Sequence, residues 1–233
     1  MNILDNEKQY LDIINKHMEN GVKFFTSHGI IIDEEVKIGK GTVIYPGTIL
    51  LGNTVIGENC TIGPNSMIKN CTFGDDIVFN SSQAADSIVD SGSSIGPFSQ
   101  LRPNSHICEK VKIGDFVEVK NSTVGKGTSI AHLTYVGDSD VGQHVNFGCG
   151  VVTVNYDGET KNRTTIGDYA FIGCNTNLVA PVTVGNGAYT AAGSTVTKNV
   201  PDASLAVARA RQTNIDNWAE KKLSGYIKKH STK

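Results

Sequence analysis

The chain has 233 residues, of which 25 are glycine and 19% are charged, with a formal net charge of −2. That length holds one large domain, and a charge so near zero excludes nucleic acid or another polyanion as a partner. No signal peptide and no apolar run of membrane length is present, so a soluble, cytoplasmic protein without membrane insertion is expected.

An amphipathic helix is predicted over 5–20, with Asp5 as N-cap, Leu11, Ile14 and Met18 on its inward face and Gly21 just past its end. It is too short to stand alone and should pack on the rest of the chain or on a partner subunit. Residues 1–35 thus read as helix and linker.

From 36 to 200 the chain is a ladder. Aliphatic residues recur every sixth position at Ile38, Ile44, Leu50, Ile56, Ile62 and Ile68. They return at Ile95, Leu101, Ile107, Ile113 and Val119, at Val124, Ile130 and Val136, and at Ile166, Ile172, Leu178, Val184 and Val196. A period of six is neither helical nor that of an alternating strand; it is the signature of a parallel β-helix, an all-β solenoid. Each hexapeptide supplies a short strand and a corner, with Gly or Asn giving the positive φ of a tight turn. Three hexapeptides close a coil, so residues about eighteen apart stack. The ladder slips over 78–94, where loops leaving the prism are expected. The extension 201–233 should carry a helix over 213–229, with Ile215, Ala219, Leu223 and Ile227 inward, capping the last coil.

The five cysteines, Cys60, Cys71, Cys108, Cys149 and Cys174, are scattered without a C-x-x-C pair. They read as small buried thiols in a reducing compartment, and neither a disulfide framework nor a zinc site is expected.

One stretch, 130–161, breaks the repeat with polar and chemically capable residues. Earlier in the chain, Arg102 and Lys120 each follow an inward aliphatic residue and are eighteen apart, so they should stack on one outer face, either as a phosphate site or as two solvated surface charges. Glu118 and Tyr135 precede inward residues on that face, one coil apart. His132 lies around the corner. His132 and His144 fall on different faces, which disfavours a two-histidine metal site. Asn146, Asn155, Tyr156 and Lys161 cluster where the ladder fails, and Asp157-Gly158 marks a surface turn there.

Five motifs carry a resemblance: G-P-F-S-Q-L-R-P at 96–103, G-D-F-V-E-V-K-N at 114–121, A-H-L-T-Y-V-G-D at 131–138, N-Y-D-G at 155–158 and L-V-A-P-V-T-V-G at 178–185. Together they resemble the C-terminal domain of the bacterial bifunctional GlmU family, which joins an N-acetylglucosamine-1-phosphate uridylyltransferase to a glucosamine-1-phosphate N-acetyltransferase. The resemblance runs over 18–211. It implies a left-handed parallel β-helix, a homotrimer with sites between subunits, and acetyl transfer from acetyl-CoA to the amine of glucosamine-1-phosphate. The product would serve UDP-N-acetylglucosamine and peptidoglycan precursor synthesis, and no metal is expected for the transfer.

By the same resemblance His132 is the general base, with Glu118 holding its ring. Arg102 and Lys120 bind the sugar phosphate, and Tyr135, Asn146 and Lys161 contact the sugar or its phosphate. Asn155 joins the catalytic set and, with Tyr156, lies by the acetyl group and the thiol arm; Ala192 and Arg209 contact CoA. Cys149 stands where the family commonly has alanine, and is expected to offer a backbone contact. Cys174 stands where serine is common, and a thiol is the weaker donor to a developing oxyanion. The family's nucleotidyltransferase domain is not in this sequence, so no UTP or catalytic magnesium site is expected and a separate uridylyltransferase partner is left room for. Two other readings are an acyltransferase of the same build for another amino sugar, and a non-catalytic trimeric scaffold.

Overall fold

A computed structural model describes residues 3–231 of the chain. Each inward aliphatic residue of the ladder starts one side of a triangular prism: Ile44, Leu50, Ile62, Ile68, Ile107, Val119, Ile130 and Leu178 are all at 0% exposure. In a strand of two or three residues one side chain points in and its neighbours out. Three residues after the inward position the chain turns through positive φ, as at Gly41 after Ile38, Asn59 after Ile56 and Asn104 after Leu101. Glycine and asparagine tolerate that conformation best, which is why they recur at the corners.

The coils stack by parallel pairing alone, in sheets of 11, 10 and 9 strands that form faces A, B and C. Pairing begins at Lys23–Phe24 and ends at Leu205–Ala206, so strands extend beyond 36–200 at both ends. Alternate buried positions are hydroxyls rather than aliphatics. Thr42 and Thr128 donate to the corner carbonyls of Gly57 and Gly142, both at 2.8 Å, satisfying backbone groups that the turn would otherwise leave unpaired.

The slip over 78–94 does not release a loop. Phe79, Ala84 and Val89 all remain buried, and each short side turns one residue early, at Ser81 and Asp86, both with positive φ. Asn70, Asn121 and Asp138 shorten other sides in the same way. A missing residue is absorbed at the corner, and the inward position is kept.

At the start of the corner between faces C and A, the residue after the inward aliphatic is glycine in most coils. A Cβ on Gly39 would lie 2.5 Å from the carbonyl carbon of Gly57, and one on Gly125 2.5 Å from that of Gly142. The coils approach too closely there for an ordinary side chain without local adjustment.

Both terminal helices differ from expectation. Helix α1, Ile3–Glu19, begins before Asp5 and turns Ile13, Ile14 and His17 toward the first coil, leaving Leu11 and Met18 exposed. Gly21 follows its end with φ 87°, as expected. Helix α2, Glu220–His230, is shorter than predicted and caps nothing within one chain, since Ile215, Ala219, Leu223 and Ile227 are all exposed. Among the described residues no helix is long and apolar enough to cross a membrane.

Candidate active site

Face B and its two corners hold most of the residues singled out from the sequence. On the corner between faces A and B, the register pairs Asp115 with His132. The next coils continue that column with Cys149, Cys174 and Ala192, as the amide bonds Gly150 N to Leu133 O (3.1 Å), Asn175 N to Cys149 O (2.8 Å) and Gly193 N to Cys174 O (2.8 Å) require. Arg209 stands at its far end, its Cδ 3.8 Å from where a Cβ on Gly193 would lie. Six residues placed far apart in sequence thus line one straight edge of the prism.

His132 is solvent-facing, and its Nδ1 is 3.6 Å from Asp115 Oδ1. That is within ion-pair range and longer than a hydrogen bond. The expectation that Glu118 holds the ring is not met within one chain. Glu118 instead accepts from Arg102 Nη1 at 2.7 Å, because its side chain leaves the flat of face B, one coil from Arg102. The carboxylate stacked beside His132 is Asp115, which sequence reasoning passed over although it begins the D-F-V-E-V-K-N motif. Counting one coil back from His132 would have found it.

Across the flat of face B, Leu101 pairs with Val119, which sets Arg102 beside Lys120, and Glu118 pairs with Tyr135. The Tyr135 ring lies over Gly137, where a Cβ would come 2.3 Å from its hydroxyl. The Arg102 guanidinium is held above its usual range by the hydrogen bond to Glu118. Lys120 is held below the ordinary lysine range, first by the adjacent Lys161 amine and then by desolvation. Two amines crowded together in this way suit an anion that would sit between them.

Lys161 reaches that place on a hairpin. The ladder breaks after Val152–Val154, and Tyr156 and Lys161 pair antiparallel across a tight turn. Asp157 organises the turn, accepting from the amides of Glu159 (2.9 Å) and Thr160 (2.7 Å) and from the Thr160 hydroxyl (2.8 Å). Those donors, the amides foremost, hold its carboxyl far below the usual range. Arg163 anchors the returning strand by a two-pronged pair with Asp140 at 2.5 and 2.9 Å.

At the base of the hairpin Asn155 is buried. It donates to the Asp138 carboxylate and lies 3.5 Å from the Tyr135 hydroxyl. Asn121 also donates to Asp138. Burial pushes the Asp138 carboxyl up, but the two amides and the charges of Lys120 and Lys161 outweigh it and hold the group below its usual value. Asp138 therefore stays a charged acceptor that fixes Asn155. It closes the A-H-L-T-Y-V-G-D motif, and its role was invisible from sequence because Asn155 is a coil away.

Not everything converges. Asn146 lies on face A, between Ser129 and Phe171, away from Arg102 and Lys120. Asn155 and Tyr156 are at the corner between faces B and C, and the three-residue strand Tyr135–Gly137 separates that corner from His132. At ~3.3 Å per residue this is roughly 10 Å of sheet. Cys60 and Cys71 are buried as expected, and burial pushes the Cys71 thiol up to about 11; Cys108 and Cys149 are half-buried, and Cys174 is exposed in the His132 column.

The fold is a parallel β-solenoid of hexapeptides, with His132 beside Asp115 on one edge and Arg102, Lys120 and Lys161 gathered on face B. The family described as "Bacterial transferase hexapeptide (six repeats)" matches residues 35–70 and 163–198. "Bifunctional protein GlmU" of Geobacillus sp. (strain WCH70) is 56% identical over 94% of this chain and 47% of its own length. The proteins of the same name from Clostridium botulinum (strain Kyoto / Type A2) and Acetivibrio thermocellus are 51% and 53% identical, over 93% and 90% of this chain and 47% and 46% of theirs. The chain belongs to the GlmU family. It spans about half the length of the curated relatives it matches.

Proposed function

We propose that the chain transfers acetyl from acetyl-CoA to the amine of glucosamine-1-phosphate, in the cytoplasm, for UDP-N-acetylglucosamine synthesis. The observation that carries this reading is the column from Asp115 through His132, Cys149, Cys174 and Ala192 to Arg209, a track leading from a base to a cation along one edge. It suits an extended acyl carrier with an anionic end. The paired amines of Lys120 and Lys161, with Arg102 beside them, suit a sugar phosphate.

The amine attacks the thioester carbonyl, forming the C–N bond, and passes its proton to His132; collapse then breaks the C–S bond and the proton goes to the leaving thiolate. With Nδ1 turned to Asp115, Nε2 is the nitrogen presented to the amine, and Asp115 favours the imidazolium that forms. Asn155, held by Asp138, and Tyr135 contact the acetyl group and the sugar.

The roughly 10 Å between His132 and Asn155 on one face is too far for both to meet a single carbonyl. The site is therefore completed between copies, the His132 edge of one chain meeting the Asn155 edge of another in a homotrimer. Asn146 on face A and the exposed apolar corner residues Phe98, Phe116 and Leu133 belong to that assembly. Exposed Cys174 supports a second reading, a different amino sugar or acyl group, because a thiol donates weakly where a hydroxyl is common.

Thiol release with a panel of amino sugars and acyl-CoAs tests both. Glucosamine-1-phosphate with acetyl-CoA should be the fastest pair. Faster turnover of another pair would support the second reading, and no turnover of any would leave only a scaffold.

A further inference from the structure

The glycine column between faces C and A is interrupted in two successive coils. Where Gly39, Gly57 and Gly74 precede and Gly125, Gly142 and Gly167 follow, the chain places Asp90 and Cys108, as their amide bonds to Ile107 O (2.7 Å) and Val124 O (2.9 Å) show. At the glycine positions of this column a side chain would force the next coil to shift. His106 is two residues before Cys108, on the same outward side of its strand, and its Nε2 is 2.9 Å from Asp90 Oδ2. One potential ligand atom from each of the three residues lies within 4.8 Å of the others, the only such three-residue group among the described residues.

We propose that Asp90, His106 and Cys108 form a zinc site that ties these two coils together. Sulfur, imidazole nitrogen and carboxylate oxygen are the zinc donor set, and the thiolate with imidazole selects against magnesium or calcium. Zinc bonds of 2.0–2.3 Å place tetrahedral ligand atoms about 3.3–3.8 Å apart, so small side-chain rotations close the group around an ion. His106 and Asp90 side chains are 41% and 36% exposed, which lets an ion enter and leaves the fourth position to water. On binding, the Cys108 thiol gives up its proton to solvent, and thiolate, carboxylate and Zn²⁺ sum to zero charge. Lys126, a cation one coil on, is paired with Glu109 at 2.6 Å, which offsets its charge. The site is on a different corner of the prism from His132, with face A between them, so it stands or falls independently of the acetyl-transfer reading.

The test uses the whole chain, reduced and stripped with a chelator, and one equivalent of Co²⁺. A thiolate-to-cobalt charge-transfer band should appear, and Zn²⁺ should abolish it. Cys108→Ser should remove the band, and Asp90→Asn should lower Zn²⁺ affinity at least about tenfold. His106→Gln, on the outward side and tolerant of substitution, should also lose the tetrahedral cobalt spectrum, and it decides the matter if Cys108→Ser misfolds. No band in the wild-type chain, or a band unchanged in these variants, would overturn the site.

Discussion

His132 is placed by the backbone register rather than by a cage of side chains. Asp115 sits one coil below it because each is two residues past an inward isoleucine, Ile113 and Ile130, that pairs with the other, and nothing but stacking brings the two together. We expect His132→Ala to lower kcat at least about a hundredfold with CoA binding retained, since a positioned base contributes about that much or more. Asp115→Asn should lower kcat less, while Glu118→Gln, acting through Arg102, should raise KM for the sugar phosphate; equal kcat losses in the two would contradict this division of labour. Lys120 offers a pH test. Its crowding by Lys161 lowers its proton affinity in the free protein, and a bound phosphate dianion restores it. N-acetylglucosamine-1-phosphate, which carries no amine, should therefore bind with proton uptake in the alkaline range below the ordinary lysine value, and more weakly as pH rises through it. Calorimetry in two buffers of different ionisation heat would show this, and buffer-independent heats would contradict it. The stacking of Arg102 on Lys120 was legible in the eighteen-residue spacing. Asp115 stands at the same one-coil spacing from His132 and was passed over because it does not break the pattern of its own coil, whereas Asp138 was not legible because it meets Asn155 where the ladder fails.

At the level of elements, the six-residue period revealed the inward positions but not the corners. A side of five residues looks like lost register in sequence, yet Ser81, Asp86, Asn121 and Asp138 show it to be a tighter turn. The helices were misjudged for a different reason. Amphipathic spacing names a stripe, and α1 turned a neighbouring stripe inward because the first coil presents Val36 and Ile38 to Ile13 and His17 across a shared cleft. His17 is buried, and desolvation, with Lys16 adding, lowers its pKa. The unfolded chain binds a proton more readily, so the docked helix is fully stable above the free histidine value, about 6.5, and loses stability as pH falls below it. Exchange of the Val22 amide, bonded to His17 O at 3.1 Å, should therefore show more frequent opening at pH 5 than at pH 7 after correction for intrinsic rates. His17→Gln should flatten that dependence; if it does not, His17 is not the titrating group.

In the whole molecule each coil rests only on its neighbours, so a buried aliphatic lost from the middle is felt locally. Phe79→Ala should cost on the order of 3–5 kcal/mol, read as a lowered denaturation midpoint, because no neighbouring coil can move in to fill the gap. The same geometry sets the half-sites. One long edge carries His132, Cys149, Cys174 and Ala192, and the opposite edge of face B carries Asn155 and Lys161. A straight prism cannot fold one edge onto the other, so under the proposed function the His132 and Asn155 half-sites meet only where two copies do.

Co-expression of His132→Ala with Asn155→Ala chains, carrying different tags and purified as mixed oligomers, tests that claim most directly. Each variant alone should be inactive. In a mixed trimer of either composition one interface in three pairs an intact His132 edge with an intact Asn155 edge, so about a third of wild-type activity should return. Mixed trimers with no more activity than either variant alone would contradict a site shared between copies.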